Sequence, residues 1–416
     1  MISAEVNYNL DGHLIKSGFD ATVVVDYLLV FSLVAVSGFA YFYVNDEFIA
    51  IAALFALAVS LSRKTLEKID RKFLIILLLF VLWELIQDFY FQSFEFKTLL
   101  ASMARFVFAY LVIRIVSSRF VPIYINFLLA LSIISLVVYI CFFSPSLTNF
   151  LVSHSIRKPL FYVDMSSYEF IPNYIVIAFN TYQEFRNSGP FWEPGAFAVF
   201  LCIALILNIM TKNKIIDYKN IVFIITIITT ISTAGFLALF VILALVYLLL
   251  KPSLKKVILL LPMIGLFTAL IINLPFMLPK IQNNIIIADN NNTSRFGSAL
   301  SDYKLIAENP IIGYGGNLSN MFGTTQWDSR KMHRNNGITA FITQWGLFIF
   351  IFYFYNYYKS AEYICNYYES SRSLAFVFLI TIILLGFSQG IFRFPFFHSI
   401  MFLQFAYLEK DYSSKE

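Results

Sequence analysis

Apolar runs of bilayer-crossing length recur along the whole chain, near 24–44, 48–62, 73–91, 98–116, 121–143, 191–210, 257–274, 337–358, 374–391 and 395–408. A helix needs roughly 20 apolar residues to cross about 30 Å of hydrocarbon. Backbone in lipid must also satisfy its own hydrogen bonds, which leaves packed helices as the way to use so many such runs. Composition agrees: 59% of residues are hydrophobic and 13% charged, with a mean hydropathy of +0.74. That is too little charge to cover the surface of a water-soluble chain of 416 residues. The expected fold class is therefore an all-α integral membrane protein, a single polytopic domain over 1–416. A formal charge of +5, scattered along the chain, argues against nucleic acid as a partner. Cys141, Cys202 and Cys365 all fall in or beside apolar segments, so they form neither a disulfide framework nor a metal site. Residues 1–20 are polar and mixed in charge, unlike a signal peptide.

The stretch 221–250 fits neither one crossing nor two ordinary ones, since 30 residues make a helix of about 45 Å. Flanking charge decides it. Lys212, Lys214 and Lys219 precede the stretch, and Lys251, Lys255 and Lys256 follow it. The positive-inside rule puts both ends on the cytoplasmic side, so the stretch crosses an even number of times, as two short helices meeting near Ser232-Thr233-Ala234-Gly235. The total becomes about 12 spans with both termini cytoplasmic. Arg63, Lys64, Lys68, Arg71, Lys72, Arg119, Lys359 and Arg372 fall on the inside in this topology. Two long loops, 144–190 and 275–336, fall on the outside, and the second holds Lys280, Arg295, Lys304, Arg330, Lys331 and Arg334. The orientation rule gives these outer cations no role.

The most informative stretch is 185–200, FRNSGPFWEPGAFAVF. Gly189, Pro190, Pro194 and Gly195 interrupt the helix where it begins. Glu193 at that mouth can serve merely as a helix-start residue, favoured by the dipole. Together with Arg186 it suits a second role, in which a cation and an acid at a broken helix bind an anionic head group and do acid–base work beside it. Trp192 and Trp327 lie in outer segments, where stacking on sugar rings is plausible. Within the membrane, Glu84 and Asp88 share one face of the third span, and Arg105 in the fourth lies at Glu84's depth. Arg105 reads either as half of a buried ion pair or as a ligand for a lipid diphosphate. Arg393 admits the same two readings, and His398 reads as a packed core residue.

The pattern R-x-x-G-x-F-x-E-P-G-x-F leading into a span resembles the bacterial O-antigen and capsular polysaccharide repeat-unit polymerases (Wzy-like), relatives of the O-antigen ligases. Three further stretches follow in the family's order. ISTAGF at 231–236 resembles its threonine-serine-arginine-glycine turn, NPIIGYGG at 309–316 its N-P-x-x-G-x-G element, and HRNNGITAFITQWGL at 333–347 its H-N-x-x-L stretch. Two positions depart from the pattern: Asn335 stands where the family's histidine is expected, with His333 two residues earlier, and Ala234 where relatives often carry arginine.

The resemblance implies a fold similar to the GT-C-type membrane glycosyltransferases and a place in the bacterial cytoplasmic membrane. It implies polymerisation of undecaprenyl-diphosphate-linked oligosaccharide repeat units at the outer face, with no cofactor and no metal. The lipid bilayer, the lipid-linked oligosaccharides, and a flippase and chain-length regulator of the same pathway would be the partners. A diphosphate leaving group needs its charge neutralised in the transition state, and arginine does this bidentately. Arg186, Arg295 and Arg334 are the candidates, with Arg105 as a further one. Glu193, then His333, is the candidate general base. An O-antigen ligase is the alternative, and a lipid-linked oligosaccharide flippase or transporter a more distant one.

Overall fold

The computed structural model describes residues 21–42, 46–162, 168–179, 186–250, 295–317, 319–322 and 336–407, with isolated positions between 253 and 282. Most of these are helical, and two short strands form a hairpin. In chain order the principal helices are α1 (Ala21–Gly38), α2 (Asp46–Ser62), α3 (Arg71–Phe91), α4 (Phe96–Val116), α5 (Phe120–Cys141), α6 (Pro145–Ser153), α7 (Pro194–Lys212), α8 (Tyr218–Thr229), α9 (Thr233–Leu249), α10 (Arg295–Glu308), α11 (Ser319–Phe322), α12 (Gly337–Tyr367), α13 (Ser373–Ser388) and α14 (Pro395–Phe402). Between α6 and α7, strands β1 (Ile156–Tyr162) and β2 (Tyr168–Asn173) pair antiparallel, Ile156 opposite Asn173. This hairpin departs from the all-α expectation.

Among the described residues, five helical segments are long and apolar enough to cross a membrane: Ala21–Gly38, Arg71–Phe91, Phe96–Cys141, Pro194–Lys212 and Gly337–Tyr367. Three shorter apolar helices accompany them, Tyr218–Thr229, Thr233–Leu249 and Ser373–Ser388. Lipid-facing surface is plainest on α3, where Leu74, Ile75, Leu78, Leu82, Ile86 and Phe89 are exposed. A contiguous apolar stripe of that size is foreign to a water-soluble monomer. The protein is a membrane-embedded helical bundle.

At its centre stands α7, buried on nearly every side from Pro194 to Met210. A helix apolar all round belongs in a core, and α7 packs against α5, α8, α9 and α13. The expected break within 221–250 is present: α8 ends at Thr229, α9 begins at Thr233, and Ser232 caps α9 by accepting from the Gly235 N–H at 3.3 Å. Ile231 within the break has φ +49°, a conformation that a β-branched residue adopts only under strain.

A second break lies inside α12. Gly346 has φ +77°, and a Cβ there would stand 1.8 Å from the Ile311 carbonyl oxygen. Only glycine fits both conditions. The loop 310–315 docks into this break. Leu347 N–H donates to Pro310 O at 2.8 Å, Tyr314 N–H to Thr343 O at 2.9 Å, and Gly315 N–H to Gln344 O at 2.9 Å. From α3, Gln87 Nε2 donates to Gln344 O at 2.9 Å, and Trp83 Nε1 to Trp345 O at 2.9 Å. Backbone freed by a break at membrane depth must find such partners. The motif segment 309–316 and the described part of the next one, 336–347, thus meet in one joint.

The end of α1 near its start carries a buried ionic cluster. Asp26 is fully buried and pairs with Arg63 at 2.6 Å and Arg119 at 2.7 Å, joining α1 to the end of α2 and to the α4–α5 turn. Nearby in the chain, Tyr110 O–H donates to Asp70 Oδ2 at 2.8 Å. Gly38, at the other end of α1, is about 18 Å away at 1.5 Å per residue.

Candidate functional site

The segment 186–193 crosses the Gly38 end of α1 before turning into α7. Ala40 N–H donates to Pro190 O at 2.8 Å, Trp192 N–H to Gly38 O at 3.3 Å, and Ala178 N–H to Gly189 O at 2.6 Å. Asn187 is buried and bonds four ways, its Oδ1 accepting from Gly189 N–H at 3.0 Å. Its N–H donates to Thr229 O at 3.0 Å, and its Nδ2 donates to Ser135 Oγ at 3.1 Å and to Thr229 Oγ1 at 3.0 Å. Buried irregular backbone with this many partners is held as rigidly as a helix. It fixes Arg186 and Glu193 against the α8–α9 break.

Arg186 Nε donates to Thr230 O at 3.0 Å, a carbonyl freed by that break. Glu193 stands at the cap position of α7, but its side chain makes no capping hydrogen bond. Its Oε1 instead accepts from Gln389 Nε2, so helix capping is not what this carboxylate does. Gly195 makes the contact possible, because a Cβ at that position would lie 2.7 Å from Gln389 Nε2 and 3.3 Å from Glu193 Oε1. The Ser232 hydroxyl of the α9 cap is 3.7 Å from the same point.

Arg295, from the other sequence-predicted loop, reaches the same place. Its Nε donates to Ser388 O at 3.1 Å, one residue before Gln389. Burial lowers both guanidinium groups from their ordinary pKa, with Glu193 opposing the shift in each; Arg295 adds to the lowering at Arg186. Two partly desolvated cations therefore lie within electrostatic reach of one carboxylate, near the α8–α9 break and the end of α13. Water is a better solvent for a guanidinium than such a site, so holding two of them close together favours an incoming anion.

The other candidates fall elsewhere. Arg105 does not join this cluster; its Nη2 pairs with Asp46 Oδ1 at 2.8 Å, so the ion pair expected with Glu84 is made with α2 instead. Glu84 takes a hydrogen bond from Ser102. His333, Arg334, Asn335 and Trp327 lie outside the described residues. Trp192 is buried, its ring 5.7 Å from that of Phe394, which corrects the expectation of a sugar-stacking surface residue: an aromatic in a polar stretch of sequence is in the core. Arg393 lies 5.0 Å over the Phe394 ring. His398 is buried, with Nδ1 2.6 Å from the Tyr353 hydroxyl and its ring stacked on Phe106 at 4.2 Å, a packed core residue as expected.

Gln389 is the site residue that sequence reasoning missed. Its signal is the polar triplet Ser388-Gln389-Gly390, which interrupts an otherwise apolar C-terminal region.

No known family model matches the chain, and a comparison with curated proteins finds no match.

Proposed function

We propose that this protein is a repeat-unit polymerase that extends a polyprenyl-diphosphate-linked glycan. One observation carries the reading: Arg186 and Glu193, from one stretch of the sequence, and Arg295, from another more than 100 residues on, come together near the α8–α9 break. In the reaction, a hydroxyl at the non-reducing end of one lipid-linked unit attacks the anomeric carbon of the growing chain. The anomeric C–O bond to the carrier breaks, its electron pair leaves on the diphosphate, and the hydroxyl proton passes to Glu193. Arg186 and Arg295 neutralise the departing diphosphate. Gln389 holds Glu193 in place through its amide N–H.

Topology belongs to the same proposal. Twelve spans with both termini cytoplasmic put Arg63 and Arg119 inside and the Arg186–Glu193–Arg295 cluster at the outer face of a bacterial cytoplasmic membrane. A GT-C-like arrangement of the bundle completes this reading.

Deleting the gene and resolving surface glycan on a gel separates the candidates. Loss of a polymerase leaves a single repeat unit on the final acceptor. Loss of a ligase strands full-length polymer on the carrier, and loss of a flippase leaves units inside; either outcome removes the polymerase reading. Arg186→Ala, returned to the deletion strain, is expected to insert normally and to leave single units.

A further inference from the structure

Among the described residues, only four buried side-chain polar atoms lack a hydrogen-bond partner: Asp26 Oδ2, Gln87 Oε1, Thr233 Oγ1 and Asn336 Nδ2. Asp26 Oδ2 has Arg119 beside it at 2.7 Å. Two of the others, on Thr233 and Asn336, belong to the starts of helices that border the Glu193–Gln389 contact.

Asn336 is the more telling. It is fully buried and caps α12, its Oδ1 accepting from Ile338 N–H at 3.1 Å and Thr339 N–H at 3.2 Å. Those two bonds settle which end of the amide is oxygen, because the nitrogen cannot accept. They also turn Nδ2, with its two N–H donors, away from the helix and out beyond its first turn. Leaving a buried donor unpaired is costly, and burial denies it bulk water. Its chain neighbour lies against α13's end: a Cβ on Gly337 would stand 2.1 Å from the Gln389 carbonyl oxygen. Gln389 in turn holds Glu193. The starts of α7, α9 and α12 thus adjoin one residue, with their partial positive ends gathered there.

We infer that Asn336 Nδ2 is a ligand donor, hydrogen-bonded to a phosphoryl oxygen of a diphosphate held by Arg186 and Arg295. The inference rests on the polymerase reading of this site. An atom that only donates needs an acceptor. Two guanidinium groups and three helix starts make an anionic oxygen the acceptor favoured there over a sugar hydroxyl.

The test uses the full-length protein in lipid nanodiscs, titrated with farnesyl diphosphate and separately with inorganic pyrophosphate. Asn336→Ser and Asn336→Asp both keep a capping oxygen, so Tm is expected to stay near that of the unsubstituted protein. Affinity for farnesyl diphosphate is expected to fall roughly threefold to tenfold or more in Asn336→Ser. It falls further in Asn336→Asp, which adds a negative charge. Lost affinity at unchanged Tm is what a cap alone would not give. Equal binding by Asn336→Ser and the unsubstituted protein overturns the inference and leaves the polymerase reading standing. Failure of the unsubstituted protein to bind either diphosphate overturns both. Pyrophosphate binding as tight as farnesyl diphosphate binding, with the same loss in Asn336→Ser, upholds the donor and shows that the lipid tail adds nothing to recognition.

Discussion

Glu193 gains its place from one missing carbon. Gly195 leaves just enough room for the Gln389 amide, and a methyl group there would stand 2.7 Å from Nε2. Gly195→Ala is therefore expected to push Gln389 off the carboxylate while α7, an apolar helix buried along its length, keeps its fold. Polymer made by membrane vesicles from lipid-linked repeat units should drop, and Tm should hold. Glu193→Gln keeps the shape and removes the proton acceptor. If Glu193 is the base, extension in the same assay falls by about 10²- to 10⁴-fold; extension at the original rate would remove Glu193 from the chemistry. Arg186 and Glu193 were legible in the sequence because they flank a local break marked by Gly and Pro. Gln389 and Asn336 were not, since each gains meaning only from contacts made across the fold, 196 residues apart for Gln389 and Glu193.

Elements tell the same story on a larger scale. The α8–α9 break was readable because a 30-residue apolar stretch with lysines at both ends has few ways to sit in a bilayer. The break at Gly346 was not readable as a break: 337–358 looks like an ordinary span, and nothing local says that 310–315 will dock into it. The hairpin of β1 and β2 escaped for a related reason, since its register is set by strand pairing within a loop. Gly346→Ala tests the joint. It forces a Cβ into the Ile311 carbonyl at a backbone conformation reserved for glycine, at a cost of about 3 kcal/mol or more. The expected result is a clear fall in Tm in detergent. A milder fall is expected for Gln87→Leu, which leaves the Gln344 carbonyl without its side-chain donor, worth about 1–3 kcal/mol. Unchanged Tm in both variants would mean that the loop and α12 are held by something other than these bonds.

For the whole molecule, the two ends of the bundle are chemically unlike, with Asp26, Arg63 and Arg119 at one and Arg186, Glu193 and Arg295 at the other. The α3–α4 turn lies at the second end and exposes Glu95, while the α7–α8 turn at the first exposes Lys214. Cys202 and Cys365 are buried, so a Cys141→Ser background suffices for labelling. With a membrane-impermeant maleimide on intact cells (outer membrane permeabilised where one is present), Glu95→Cys should react and Lys214→Cys should not. The reverse pattern would put the site on the cytoplasmic side, where a lipid-linked glycan polymerase has no exported units to join. The clamp on Asp26 also has a consequence for biogenesis. Its carboxylate enters the membrane region with α1, yet its first partner, Arg63, is synthesised 37 residues later, and Arg119 later still. At roughly 5–20 residues per second, the nascent first helix waits several seconds before α2 and then the α4–α5 turn arrive to neutralise it. During that interval the Asp26 carboxylate lacks both of its cation partners and must stay hydrated at the interface.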